Sequence, residues 1–128
     1  MKEFTSAVSA EAMTMVNNTN SAAAVKSGSL PVFATPMMIA LMEEATCYAA
    51  APLLDEGEST VGTRVSVSHD KASGIGSVIT AYATLTEADG RKLFFEVNAK
   101  DEQGDIIGKG TIERFVINTD KFMKRVNK

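Results

Sequence analysis

The amino-acid sequence predicts an α+β fold, an antiparallel sheet wrapped around one long central helix, and three features predict it. Residues 37–51 contain neither Pro nor Gly and are rich in Met, Ala, Leu and Glu, all strong helix formers. From residue 61 onward, three segments alternate apolar and polar residues with the period of a half-buried strand. Turn-forming clusters, Asp89-Gly90 and DEQGD among them, separate the later segments.

A short strand is expected near residues 13–16. It is followed by NNTNSAAAVKSGSL, residues 17–30, whose small polar residues and Gly28 suit a loop, either a lid or a poorly ordered connection. The helix lies within VFATPMMIALMEEATCYAAAPLL, residues 32–54. Thr35 can cap it by offering its hydroxyl to an orphan backbone N–H, Pro36 suits the first helical position, and Pro52 interrupts the pattern. At about 100° per residue, Met38, Leu41, Met42, Ala45 and Ala49 form one apolar stripe. The opposite side is hardly more polar: Glu43 lies with Ile39, Ala40, Cys47 and Ala50, and Glu44 with Met37, Ala40, Tyr48 and Ala51. A helix apolar nearly all round is wrapped by other structure or shared between subunits. The adjacent Glu43 and Glu44 admit two readings. Either one carboxylate is held there for its chemistry against a desolvation cost, or both occupy a narrow solvated strip.

In TVGTRVSVSH the alternation sets Val61, Thr63, Val65, Val67 and His69 on one face, with Gly62, Arg64, Ser66 and Ser68 on the other. SVITAYATLT sets Ile79, Ala81, Ala83 and Leu85 together, and KLFFEVNA sets Leu93, Phe95, Val97 and Ala99 together across the Asp89-Gly90 hairpin. IIGKGTIERFVI is less regular, and Gly108 and Gly110 point to a bulge or the close approach of another backbone.

The chain's 128 residues, 45% hydrophobic and 23% charged, suffice for one globular domain, residues 1–128, with its own core. A net charge of -3 gives no basic footprint for nucleic acid, and the basic KFMKRVNK reads as a solvated terminus. MKEFTSAVSAEAMTMV lacks the apolar core of a signal peptide, and no run approaches the ~20 apolar residues of a membrane span; a cytoplasmic protein without a membrane partner is expected. With Cys47 the single cysteine and His69 the single histidine, neither an internal disulfide nor a metal site of N and S ligands is expected.

One strand, a loop, an apolar helix and about four antiparallel strands can bury every apolar face if the twisted sheet wraps the helix, which is the hotdog architecture. Such subunits characteristically pair, so a homodimer or higher homo-oligomer is expected. VFATPMMIALMEEA, VGTRVSVSH, DGRKLFFEV and GTIERFVI, in this order, resemble the fluoroacetyl-CoA thioesterase-like family of hotdog thioesterases. The resemblance implies that Thr35 in FATP, Glu43 in ALMEE and His69 in VSVSH are catalytic, and that Gly62 in VGT and Arg114 in ERF bind substrate. It also selects Glu43 over Glu44. Three departures stand out. Asp70-Lys71-Ala72-Ser73-Gly74 follows the histidine where the family often has a small or apolar residue and then Ala-Ala-Thr-Pro, Ile112 replaces the histidine of GTHERF, and VKSGSLP lacks the phenylalanines that precede VFAT in the fluoroacetyl-specific enzyme.

Hydrolysing a thioester requires an activated oxygen nucleophile, donors for the developing oxyanion and help for the departing thiolate. Glu43 can attack directly or act as base on water, and His69 can move a proton or stabilise charge. Backbone N–H groups at Gly62 or the helix start can serve the oxyanion, each worth roughly 3 kcal/mol. Plainer roles stand beside these: Thr35 as a helix cap worth ~1 kcal/mol, His69 as a structural histidine, Arg114 paired with Glu113 or another carboxylate, Cys47 as a small buried hydrophobe. The resulting expectation is an acyl-CoA thioesterase for a small acyl group, needing no cofactor because coenzyme A arrives as part of the substrate. The alternatives are a non-catalytic acyl-CoA-binding module and, less favoured for want of an Asp/His pair before the helix, a hydratase or dehydratase.

Overall fold

The computed structural model of the chain describes residues 1–4 and 8–128. Its elements are β1 (Val8–Met15), α1 (Ala22–Val25), α2 (Thr35–Ala50) with a 3-10 turn at Ala51–Leu53, β2 (Glu58–His69), β3 (Val78–Asp89), β4 (Lys92–Lys100), β5 (Ile106–Asn118) and α3 (Thr119–Val126). Among the described residues the five strands form one antiparallel sheet in the order β1-β3-β4-β5-β2, with α2 lying mainly against β1 and β3. This is the α+β arrangement that the alternation and the apolar helix imply. β1 is longer than expected and begins earlier, because its pairing with β3 runs from Val8↔Leu85 to Met15↔Val78.

The apolar stripe of α2 faces the sheet: Met38, Met42, Ala45 and Ala49 are fully buried, with Leu41 close behind. They meet the inward residues of the two central hairpin strands, Ile79, Ala81, Ala83 and Leu85 from β3 and Leu93, Phe95, Val97 and Ala99 from β4. The hairpin turns on Gly90, whose φ of 59° is the left-handed conformation that short hairpin loops require. The other side of α2 is not covered by the described residues of one chain. Ile39, Glu43 and Cys47 are half-buried and Ala40, Glu44 and Tyr48 exposed, so Cys47 is less enclosed than its expected core role implies.

β2 departs most from its sequence pattern. Among the described residues it pairs only with β5, and none of its own residues is buried. A bulge between Gly62 and Arg64 adds Thr63 as an extra residue and reverses the parity of everything before it. Val65, Val67 and His69 do share a face, opposite Ile112, Gly110 and Gly108, but it is Gly62 and Thr60, not Thr63 and Val61, that join them on the helix side, opposite Arg114 and Val116. A single inserted residue is invisible to a period-two reading. Gly108 and Gly110 mark close approach: a β-carbon at Gly108 would collide with Met38 of α2, and one at Gly110 with the backbone at Ser66 and Val67. The bulge in β5 falls beside them, between the pairs Ala99↔Gly108 and Lys100↔Ile106. Two further elements were not expected. Ser21 caps α1 within residues 17–30, and the basic tail forms α3 behind Asn118, whose side chain accepts from the Lys121 N–H. Among the described residues no helix is long and apolar enough to cross a membrane.

Candidate active site

α2 and β2 run past each other in opposite directions, so the helix start meets the strand end and the helix middle meets the strand start. Two clusters result, and Thr35, Glu43, Gly62, His69 and Arg114 each belong to one of them.

The first joins Thr35 and His69. Thr35 occupies the first turn of α2, but Ala34 is the N-cap and no side chain caps the helix. The Thr35 hydroxyl instead lies 2.7 Å from His69 Nδ1. The capping role therefore gives way to a histidine contact, and Pro36 moves one place into the helix. His69 Nε2 is buried without a hydrogen-bond partner among the described residues. Burial lowers the pKa of the imidazole below its ordinary value, against the raising influence of the Lys71 backbone and Asp70. The ring is accordingly neutral at pH 7.

The segment after His69 is held firmly. The N–H groups of Asp70 and Lys71 both donate to the Ile107 carbonyl, and Ser68 donates to the Asp70 carboxylate. Lys71 Nζ reaches Asp101 and Asp105, each at 2.7 Å. These two acids raise the Lys71 pKa, and Lys71 in turn lowers that of Asp101. Asp70 and Lys71, departures from the family pattern, thus tie the histidine to the β4–β5 turn. A cavity of about 210 Å³ opens beside the pair, lined by Thr35, His69, Phe33, Ser27 and Lys71 among others. One wall comes from residues 17–30, stitched in place by Ala22 N–H to Val32 carbonyl and Ala34 N–H to Asn20 carbonyl bonds.

The second cluster joins Glu43, Gly62 and Arg114. Arg114 is buried at 6% exposure, an unusual position for a guanidinium, and each of its edges has a partner. Nη1 donates to Glu43 Oε2 at 3.0 Å, Nε to the Thr60 hydroxyl at 2.9 Å, and Nη2 to the Thr60 carbonyl at 3.2 Å. Glu113 is not its partner; that carboxylate faces Lys92 and Arg64 on the other side of the sheet. A β-carbon at Gly62 would overlap Glu43 Oε2 and lie 3.3 Å from Arg114 Nη1, so a side chain there would displace the Glu43 carboxylate from its place beside Arg114. Glu44, by contrast, is exposed and accepts the Tyr48 hydroxyl. Ile112, where the family has histidine, is fully buried in the core.

The two clusters lie apart. Glu43 lies eight positions after Thr35, roughly 12 Å along the helix axis. The helix start also offers few oxyanion donors, since Pro36 has no N–H and those of Met37 and Met38 both donate to the Ala34 carbonyl. Thr60 was missed in the sequence because Arg114 and the bulge give it meaning, and neither is visible in TVGT alone.

Comparison with known proteins places these features in context. The sequence profile of the fluoroacetyl-CoA-specific thioesterase family, FlK, matches residues 16–120. The fluoroacetyl-CoA thioesterase of Streptantibioticus cattleyicolor is 44% identical over 95 residues, spanning 74% of this chain and 68% of that protein. The crystal structure of the fluoroacetyl-CoA thioesterase FlK superposes with a TM-score of 0.89 at 33% identity, covering 98% of this chain and 97% of the other. A thioesterase superfamily member from Thermus thermophilus superposes at 0.91 with 26% identity, covering 99% and 93%.

Proposed function

The chain belongs to the fluoroacetyl-CoA-specific thioesterase family and is an acyl-CoA thioesterase; from that premise we propose that Glu43, His69 and Thr35 carry out the hydrolysis of a small acyl-CoA. The observation that carries this reading is the paired geometry, a half-buried carboxylate locked to Arg114 and a threonine hydroxyl on a neutral histidine.

In the overall reaction an oxygen from water bonds to the thioester carbon, the C–S bond breaks, and coenzyme A departs as a thiol. Glu43 drives the first step by attacking the carbonyl or by deprotonating water, with Arg114 holding the carboxylate in one orientation. The backbone at Gly62, bare of a side chain beside Glu43, lets the carbonyl approach and offers its N–H to the oxyanion. Thr35 and His69 carry the proton toward the leaving sulfur. No cofactor is called for, and the whole chain, residues 1–128, acts as one catalytic domain in the cytoplasm. The cavity of about 210 Å³ suits a short acyl group. Residues 25–31 bring no aromatic ring to it, so unfluorinated short acyl-CoAs are expected as substrates alongside fluoroacetyl-CoA.

The catalytic unit in this reading is a homodimer. The free edge of β2 is 12 residues long, and Val65 on its helix side is 39% exposed. Such an edge is normally paired or protected. A second copy adding its own β2 antiparallel, centred on Ser66 and with Thr63 again the extra residue, would set His69 of one copy opposite Gly62 of the other. That pairing unites the two clusters, covers the open face of α2 and brings a partner toward His69 Nε2.

The test is loss of thioester absorbance over a panel from acetyl-CoA to longer acyl-CoAs, comparing the native protein with Glu43→Gln. Glutamine keeps a hydrogen bond for the buried Arg114 and removes only the charge. Hydrolysis reduced on the order of 10³-fold supports the assignment. Undiminished hydrolysis in the variant overturns it, and thermal protection by acyl-CoA with no cleavage in the native protein identifies a binding module instead.

A further inference from the structure

We propose that Thr60 is a positioning residue for the catalytic carboxylate, acting on Glu43 through Arg114; the inference rests on the reading of Glu43 given above. Thr60 sits on the helix side of β2 opposite Val116, two residues before Gly62. It holds the guanidinium at two points, with its hydroxyl on Nε at 2.9 Å and its carbonyl on Nη2 at 3.2 Å. Only Nη1 remains, and it is directed at Glu43 Oε2 at 3.0 Å.

A guanidinium is planar, so fixing two of its edges fixes the direction of the third. The backbone contact alone leaves rotation about the Nη2 bond. The hydroxyl removes that freedom and sets where the carboxylate oxygen must lie. The bare backbone at Gly62 complements this, because the same oxygen fills the space where a β-carbon would be. The bulge at Thr63 matters equally: without its parity reversal, Thr60 and Gly62 would point to the opposite face of the sheet from Arg114. Thr60, Arg114, Gly62 and Glu43 thus form one chain of contacts whose far end is the reacting oxygen.

The test is a double-mutant cycle on acyl-CoA hydrolysis. Thr60→Val keeps the shape, the β-branching and the backbone carbonyl and removes only the hydroxyl. It is expected to lower kcat about tenfold, the scale of one charge-assisted hydrogen bond, with KM changed less than about twofold. Thr60→Ser should return kcat to within about twofold of native. In an Arg114→Lys background Thr60→Val should have little further effect, since the intermediary is already lost. The proposal is overturned by native kcat in Thr60→Val, by a Ser variant as slow as the Val variant, or by losses that multiply in the double variant. Glu43→Gln, measured alongside, separates two failures. If it retains full activity, the reading of Glu43 has failed; if it is inactive while Thr60→Val is normal, only the positioning role has failed.

Discussion

β4 and β2 both pair antiparallel with β5, yet they differ in almost every other respect. β4 buries Leu93, Phe95, Val97 and Ala99 to 3% exposure or less in strict alternation. β2 is longer, carries a bulge, and buries no residue at all. β4 contributes stability through apolar area, whereas β2 contributes geometry, holding Thr60, Gly62 and His69 against the open flank of α2. The division explains why the chemistry can occupy this edge: polar groups and a tight glycine contact there do not disturb the packing that holds the sheet to the helix.

The largest expected effects separate the two strands directly. Glu43→Gln, beside β2, should lower kcat on the order of 10³-fold while leaving the unfolding midpoint close to native. Phe95→Ala, in β4, should cost roughly 3–5 kcal/mol in denaturant unfolding while the folded fraction keeps its kcat. An unfolding loss from the first variant as large as that from the second would erase the distinction.

Val65→Lys tests whether the exposed face of β2 is a subunit interface. Sedimentation should show the native dimer giving way to monomer, with activity falling on the order of 10²-fold as the two clusters separate. A monomeric native protein that is fully active would contradict the pairing.

His69 sharpens the comparison through pH. Its folded pKa lies below the ordinary 6.5 because burial disfavours the charged ring. Full stability is therefore present above about pH 6.5 and declines as pH falls toward the folded value, since the unfolded chain takes up the proton first. His69→Gln should remove this component from a plot of stability against pH. In the native enzyme kcat/KM should hold at pH 6.5 and drop only at lower pH, where the imidazole becomes charged. An acid limb centred above 6.5 would rule out the neutral-histidine role.

The smallest effect is expected at Thr35. Thr35→Ala should lower kcat about tenfold with almost no loss of stability, because the hydroxyl contacts His69 and caps nothing. A stability loss of ~1 kcal/mol with unchanged kcat would restore the capping role.

Much of the molecule is legible in the sequence by itself. The buried stripe of α2, the inward sets of β3 and β4 and the hairpin at Gly90 follow from periodicity and turn chemistry, which are local properties of neighbouring residues. Resemblance to a family singled out Thr35, Glu43, His69, Gly62 and Arg114 from short motifs. Tertiary structure alone decided how those residues are partnered. A bulge of one residue reversed the face of Gly62, Thr35 exchanged a cap for an imidazole, and Arg114 found Glu43 and Thr60 across 71 and 54 residues of chain. Partners so distant in sequence leave no periodic trace, because their contact depends on how α2 lies across the sheet and on strand register, which the whole core determines together.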